Sequence, residues 1–186
     1  GRSGVVVATA ASTPHPARFE AVSYKLNGRR LSLAGFTPDR SLLPDIYRGL
    51  ATAKCGATNS YTHDRIAPCL DVAVRRTWPY TPRSLMAVNG GYDGLRLCLN
   101  TFVRKGDWVL VENPSPPRML DLVESTGAKM FMLERDEDGV LPSSLERGIA
   151  RGPAACILQP GVHSPLGTVM TPRRQDELVE VLRGSS

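Results

Sequence analysis

Met86-Ala-Val-Asn-Gly90-Gly91-Tyr92-Asp-Gly94-Leu95 reads as a short apolar strand, a glycine turn and the start of a helix. Leu95, Cys98, Leu99 and Phe102 then recur at i, i+3, i+4 and i+7, the spacing of a buried helix face. Lys105-Gly106-Asp107 supplies the basic residue and the glycine that close such a helix. Trp108-Val-Leu-Val111 is a continuous apolar run, the pattern of a strand covered on both faces.

Downstream the alternation continues. Pro116-Pro117 opens a helix carrying Met119, Leu122 and Val123, and Gly127 stops it. Lys129-Met-Phe-Met-Leu133 is the next strand, and Asp136-Glu-Asp138-Gly139 is a turn. Leu141-Pro142-Ser143-Ser144 leads a helix with Leu145 and Ile149. Ala154-Ala-Cys-Ile-Leu158 is a further strand, and Pro172 starts a helix with Leu178, Val179 and Leu182. This order predicts an α/β fold of three layers, α/β/α, around a mostly parallel sheet. Ligands of such sheets bind at the carboxyl ends of the strands. Two loops are expected there: the Gly90-Gly91 turn, and Gln159-Pro-Gly-Val-His163-Ser164-Pro165-Leu166-Gly167.

Upstream the pattern is less regular. Ser12-Thr-Pro14-His-Pro16-Ala marks residues 1–22 as a linker or arm. Leu31-Ser-Leu-Ala-Gly35 reads as a short strand before a turn. Asp45-Ile-Tyr-Arg-Gly-Leu-Ala is a short helix with an acidic start. Residues 54–64 are polar loop, and residues 66–77 form a helix ended by Trp78-Pro79. The expected division is therefore an arm at 1–22, an N-terminal segment at 23–84 and an α/β core at 85–186.

Composition narrows the function. The 186 residues are 41% hydrophobic and 22% charged, ordinary for a globular chain. No apolar run approaches the roughly 20 residues of a membrane helix, so no membrane partner is expected. The net charge of +5 is compatible with an anionic ligand. The arginines, however, fall in separate pairs such as Arg75-Arg76 and Arg173-Arg174, which read as solvated surface and not as a nucleic-acid stripe.

Cys55, Cys69, Cys98 and Cys156 form no CxxC pair, and His15, His63 and His163 are dispersed, so no metal site is expected. Cys98 and Cys156 lie in apolar runs, where a thiol acts as a small hydrophobe. A reducing, cytoplasmic setting follows as an expectation. No serine stands in a nucleophile elbow. His163 reads as a hydrogen-bonded loop histidine, because no carboxylate with clear spacing accompanies it.

On its residues alone, Asn89-Gly90-Gly91-Tyr92 is either a tight turn or a phosphate cradle, where glycines let N–H groups approach an anion at a helix start. The spacing of Gly90, Gly91 and Gly94 is not GxGxxG, and no Gly-Lys-Ser/Thr follows, which disfavours dinucleotides and nucleoside triphosphates.

These segments together resemble the large domain of fold-type I pyridoxal-phosphate enzymes. They are most similar to the aminotransferase-like domain of MocR-type GntR transcription regulators. Asn89-Gly90-Gly91-Tyr92-Asp-Gly94-Leu95 resembles that family's N-G-A-Q-Q-A-L phosphate turn. Lys105-Gly-Asp107-Trp-Val-Leu-Val-Glu112-Asn-Pro114 resembles P-G-D-x-V-x-V-E-x-P, and Asp136-Glu-Asp138-Gly139 resembles D-E-D-G. Gln159 to Gly167 resembles x-P-x-x-x-N-P-T-G, and Gly35-Phe-Thr-Pro38-Asp39 with Leu42-Leu-Pro44 resembles G-x-P-D-x-x-L-F-P. The resemblance spans residues 31–183.

The resemblance implies a partial class I/II aminotransferase large domain with pyridoxal 5'-phosphate as cofactor. Gly90, Gly91 and Tyr92 would bind its phosphate through backbone groups, and Gly35 would lie near a substrate carboxylate. Tyr61 corresponds to a tyrosine that reaches the phosphate of a neighbouring subunit; read alone, it is an ordinary loop tyrosine. Ser164 stands where the family has the asparagine that holds the pyridine 3-hydroxyl, a shorter reach. Pro116 stands where a tyrosine usually stacks on the ring, and proline offers no aromatic stacking. The family's Schiff-base lysine and pyridine-nitrogen aspartate come later than Ser186, so no catalytic residue is assigned and this segment is not expected to transaminate by itself. The implied whole is the effector domain of a regulator, forming a homodimer, holding a small amino-acid-like ligand, and reaching DNA through a separate domain. The alternative is the N-terminal part of an aminotransferase acting on an amino acid.

Overall fold

The computed structural model describes residues 40–52 and 66–185. The chain divides into two compact units, one within Tyr24–Val88 and one containing Asn89–Ser186.

In the first unit, a 3-10 turn at Arg40–Leu42 precedes helix α1, Ile46–Thr52. Asp45 caps α1: its Oδ1 accepts the N–H groups of Tyr47 (2.9 Å) and Arg48 (3.2 Å), satisfying donors that have no partner inside the helix. Helix α2, Pro68–Thr77, starts on a proline that needs no N–H there. It ends at Trp78, held extended by the following proline. The strand expected at 85–88 is not formed. Residues 84–88 are irregular, Met86 and Val88 are exposed, and this stretch has no ladder partner among the described residues. A strand is stabilised only when its peptide groups pair.

The second unit is the α/β body. Helix α3, Gly91–Phe102, leads to strand β1, Trp108–Glu112. Helix α4, Pro117–Ser125, leads to β2, Lys129–Leu133. A small hairpin, β3 Arg135–Asp136 and β4 Gly139–Val140, precedes helix α5, Pro142–Ile149. Strand β5, Ala155–Ile157, is followed by a loop and helix α6, Pro172–Gly184. The sheet order is β2-β1-β5, parallel throughout, with Val109 opposite Met130 and Ala155. Each parallel connection is a crossover that runs through a helix, α4 from β1 to β2 and α5 on the way to β5.

The central strand explains the three layers. Val109, Leu110 and Val111 are fully buried, and alternate side chains face opposite ways. Val109 and Val111 pack with Leu99, Val103, Leu122 and Val123 under α3 and α4. Leu110 packs with Leu133, Val140, Leu145, Met170 and Leu178 under α5 and α6. The α3 stripe is only partly covered: Leu99 is buried and Leu95 half-buried, whereas Cys98 and Phe102 are exposed. The helix packs on its neighbours along Leu95 and Leu99, and nothing among the described residues lies over its other apolar positions. Cys156 is also exposed; among the described residues β5 has a sheet neighbour on one side only.

Arg174 departs further from expectation. It is 8% exposed, whereas its neighbour Arg173 is open to solvent. Its guanidinium donates to both oxygens of Asp136 at 2.9 Å and to the carbonyls of Gly139 (3.0 Å) and Val140 (2.9 Å). The planar fork thus ties α6 to the hairpin. Thr171 caps α6 by accepting the Arg174 N–H at 3.3 Å.

Candidate functional site at the carboxyl edge of the sheet

Three segments meet where the parallel strands end. The first is the start of α3. Gly90 is its cap residue, with φ +88° and ψ 173°, a region open essentially to glycine alone. It offers no side-chain oxygen to the first helical N–H groups, and a side chain at Gly90 or Gly91 would meet open space. Those N–H groups are therefore available to an outside acceptor, with the helix dipole behind them.

Asp93 is the one acid in this first turn. Its Oδ1 receives Arg96 Nη2 at 2.7 Å and its Oδ2 the Asn89 N–H at 3.1 Å. The Arg96 hydrogen bond, then that of Asn89, holds its carboxyl below the usual carboxylate range. Its charge is balanced locally, which leaves the helix start compatible with an anion.

The second segment follows β1. Asn113 N–H continues the pairing by donating to Leu133 O at 3.0 Å, and buried Ser115 turns back to donate to Glu112 O at 2.7 Å. Pro116 caps α4. Arg118, in the first turn of α4, lies 5.7 Å above the Tyr92 ring, so the starts of α3 and α4 are neighbours.

The third is the loop after β5. His163 N–H donates to Thr168 O (2.8 Å), Gly167 N–H donates to His163 O (2.6 Å), and Val162 bridges Val169. Ser164 is half-buried, and both its backbone groups are held by the Gln159 side chain, each at 3.2 Å.

The structure therefore brings Gly90, Gly91, Tyr92, Pro116 and Ser164 to one edge of the sheet. Gly35 and Tyr61 lie outside the described residues. Of the two described lysines, Lys105 precedes β1 and Lys129 is the first residue of β2, so both stand at the opposite, amino edge. Among the described residues, no group of three or more His, Cys, Asp or Glu side chains could hold a metal, and no helix is long and apolar enough to cross a membrane.

His163 is the residue that sequence reasoning misread. It is 1% exposed, and its Nε2 lies 3.1 Å from Glu112 Oε2. Arg135 Nε lies 3.5 Å from the same oxygen. Glu112, 1% exposed, is thus the carboxylate partner that had seemed absent. The signal was available: a glutamate closing a wholly apolar strand must meet compensating charge. Burial pushes the His163 imidazole below its ordinary range; Arg135 adds to this, while Glu112 and the Pro114 backbone oppose it. A depressed histidine stabilises the fold above its unfolded value, about 6.5, and that contribution is lost as pH falls through the folded value. Urea titrations from pH 7.5 downwards are expected to show stability falling below about pH 6.5, with the acid-side slope reduced in His163→Gln. An equal slope in the variant would falsify this assignment.

Similarity to known proteins agrees with this geometry. The aminotransferase class I and II family model matches residues 37–185. The chain belongs to the class I and II aminotransferase family. The vitamin B6 salvage pathway transcriptional repressor PtsJ of Salmonella typhimurium is 29% identical over 81% of this chain and 35% of its own length. The HTH-type transcriptional regulator YdcR of Escherichia coli is 29% identical over 78% of this chain and 34% of its own. The chain thus spans about a third of these relatives. Among solved structures, the α-aminoadipate aminotransferase LysN of Thermus thermophilus superposes with a TM-score of 0.61 at 21% identity, over 67% of this chain and 32% of LysN. An archaeal alanine:glyoxylate aminotransferase gives 0.55 at 27%, over 62% and 30%. The aminotransferase fold and its three-layer parallel-sheet architecture are therefore established.

Proposed function

We propose that this chain is the aminotransferase-like effector portion of a transcription regulator, and that it holds pyridoxal 5'-phosphate at the carboxyl edge. The observation that carries the cofactor assignment is the uncapped start of α3: a glycine cap and open space above Gly90 and Gly91. The regulator reading is supported by the similarity to PtsJ and YdcR along most of this chain.

The fit is residue by residue. The N–H groups of Gly91 and Tyr92 would receive the phosphate. The Ser164 hydroxyl would face the ring's polar edge, and Pro116 would cover a ring face. When bound, pyridoxal phosphate supplies an aldehyde conjugated to an electron-withdrawing ring. The part of the described residues here is to hold and orient it; the two described lysines, Lys105 and Lys129, stand at the other edge. A small amino-acid-like effector, a second subunit completing the site, and DNA contact through a further domain belong to the same proposal, as does a cytoplasmic setting.

Titration of the full chain with pyridoxal 5'-phosphate, followed by its absorbance after dialysis, tests the cofactor reading. Saturable binding is expected, with phosphate-free pyridoxal at least about tenfold weaker, the loss of one set of charge-assisted hydrogen bonds. Gly90→Ala is expected to weaken pyridoxal phosphate about tenfold, since a side chain at this φ and ψ costs about 1–3 kcal/mol and displaces the cradle. No binding by the unaltered chain sinks the cofactor reading. The coding sequence upstream of Gly1 is expected to encode a winged helix; an aminotransferase arm there instead would favour an enzyme.

A further inference from the structure

Glu112, the last residue of β1, joins the segments that follow β2 and β5 through one side chain. Its Oε1 accepts the Gln159 N–H at the start of the 159–167 loop. Its Oε2 faces Arg135 Nε at 3.5 Å, from the hairpin after β2, and His163 Nε2 at 3.1 Å, from the middle of the loop. Arg135 Nη2 also donates to Thr168 Oγ1 at 3.1 Å, on the loop's far side. All three charged or titratable groups are nearly fully enclosed, with side-chain exposures of 1%, 6% and 0% for Glu112, Arg135 and His163.

The charge balance is specific. One carboxylate and one guanidinium cancel, and the imidazole is accommodated without a net buried charge only while neutral. Glu112 Oε2, Arg135 Nε and both His163 nitrogens make no aligned hydrogen bond among the described residues. The group is therefore held by charge and close packing. Replacing Glu112 or Arg135 by an apolar side chain leaves the other charge uncompensated, whereas replacing His163 removes the ring that fills the space between Glu112 and the loop.

Ser164 sits at the end of two routes that both start from Glu112. One runs through Gln159, whose backbone is bound by Glu112 and whose side chain holds Ser164 N and O. The other runs through His163, the residue before Ser164, whose N–H and C=O close the loop on Thr168 and Gly167. We propose that Glu112, Arg135 and His163 form a buried clasp that fixes the 159–167 loop, and that Glu112 and His163 are positioning residues for Ser164. The clasp touches no ligand itself; only its consequence for the cofactor rests on the function proposed above.

Amide hydrogen exchange on the full chain tests the clasp without any ligand. In His163→Leu, exchange at positions 163, 164 and 167 is expected to rise about tenfold or more, with the β2 amides of Met130 to Leu133 unchanged. His163→Gln keeps a polar donor of similar reach and is expected to stay near the unaltered chain. Glu112→Gln is expected to loosen the same amides and also Gln159; should it fail to fold, the His163 pair still decides. Unchanged loop exchange in His163→Leu, a uniform rise across the sheet, or a Gln variant as loose as the Leu variant each overturns the proposal.

A binding arm separates the clasp from the cofactor assignment. His163→Leu is expected to lose about tenfold in affinity for pyridoxal 5'-phosphate but none for inorganic phosphate, which needs only the α3 start. If the unaltered chain binds no pyridoxal phosphate, the cofactor reading fails and hydrogen exchange still judges the clasp. If it binds and His163→Leu binds equally well, the clasp does not position Ser164.

Discussion

Leu110→Ala is expected to lower the stability of the α/β body by about 2–5 kcal/mol, the range for truncating a fully buried leucine where the surroundings relax little. Leu110 is fully buried on the middle strand, with Leu133, Leu145 and Leu178 in the same cluster. The site is unusually tight. A methyl group placed on Gly148 of α5 would stand 2.9 Å from Leu110 Cδ1 and 3.2 Å from Phe131 Cδ1. The helix is already in contact through its backbone, so it has little freedom to close over a cavity. Urea unfolding followed by circular dichroism reads the effect as a lower midpoint at constant slope. Leu166→Ala, at a half-exposed loop position, should leave the midpoint within about 0.5 kcal/mol of the parent. A Leu110→Ala midpoint equal to that of this control would mean that the core is not packed as described.

Arg174→Met should cost about 2–3 kcal/mol, since the carbonyls of Gly139 and Val140 lose a buried donor. The figure is held below that for a fully enclosed ion pair because the Asp136 side chain remains 43% exposed and water can replace part of the contact. A pH signature accompanies the loss. Hydrogen bonding to Arg174, the leading cause, holds the Asp136 carboxyl below its usual range. A depressed carboxylate stabilises the fold above its unfolded value, and that contribution disappears as pH falls through the folded one. Arg174→Met should therefore be less stable at neutral pH and should lose less on acidification below about pH 4. A variant whose acid-side slope matches the parent's would show that Asp136 draws its stabilisation from elsewhere.

The two arginines also show which parts of the fold were legible in the sequence. Periodicity identified β1, because Val109 to Val111 had to be covered on both faces, and it placed α4, β2, α5, β5 and α6 close to their observed bounds. The glycine turn was read from its own residues, and the family's motifs supplied its cofactor-phosphate reading. Arg173 and Arg174 looked alike as a surface pair, yet only the second points under the hairpin, since neighbours on a helix face different directions. The buried His163 escaped for a related reason. Its partners Glu112 and Arg135 are distant in sequence, and only the parallel pairing of β1 with β2 and β5 brings the three strand ends together. The unformed strand at 85–88 is the converse case. Its apolar run met the local criterion, but local criteria do not supply a neighbour to pair with.

The sheet order has a consequence in folding time. Val109 pairs with Met130 across the short α4 crossover, but with Ala155 only after more than twice that length of chain. Loop closure grows costlier with length, and distant contacts form later. The β1–α4–β2 unit is therefore the natural nucleus, and β5 docks onto an edge already built. The loop that carries Ser164 follows β5, so the ligand edge is completed last. Substitutions in α4 should slow folding, whereas those in the 159–167 loop should chiefly speed unfolding.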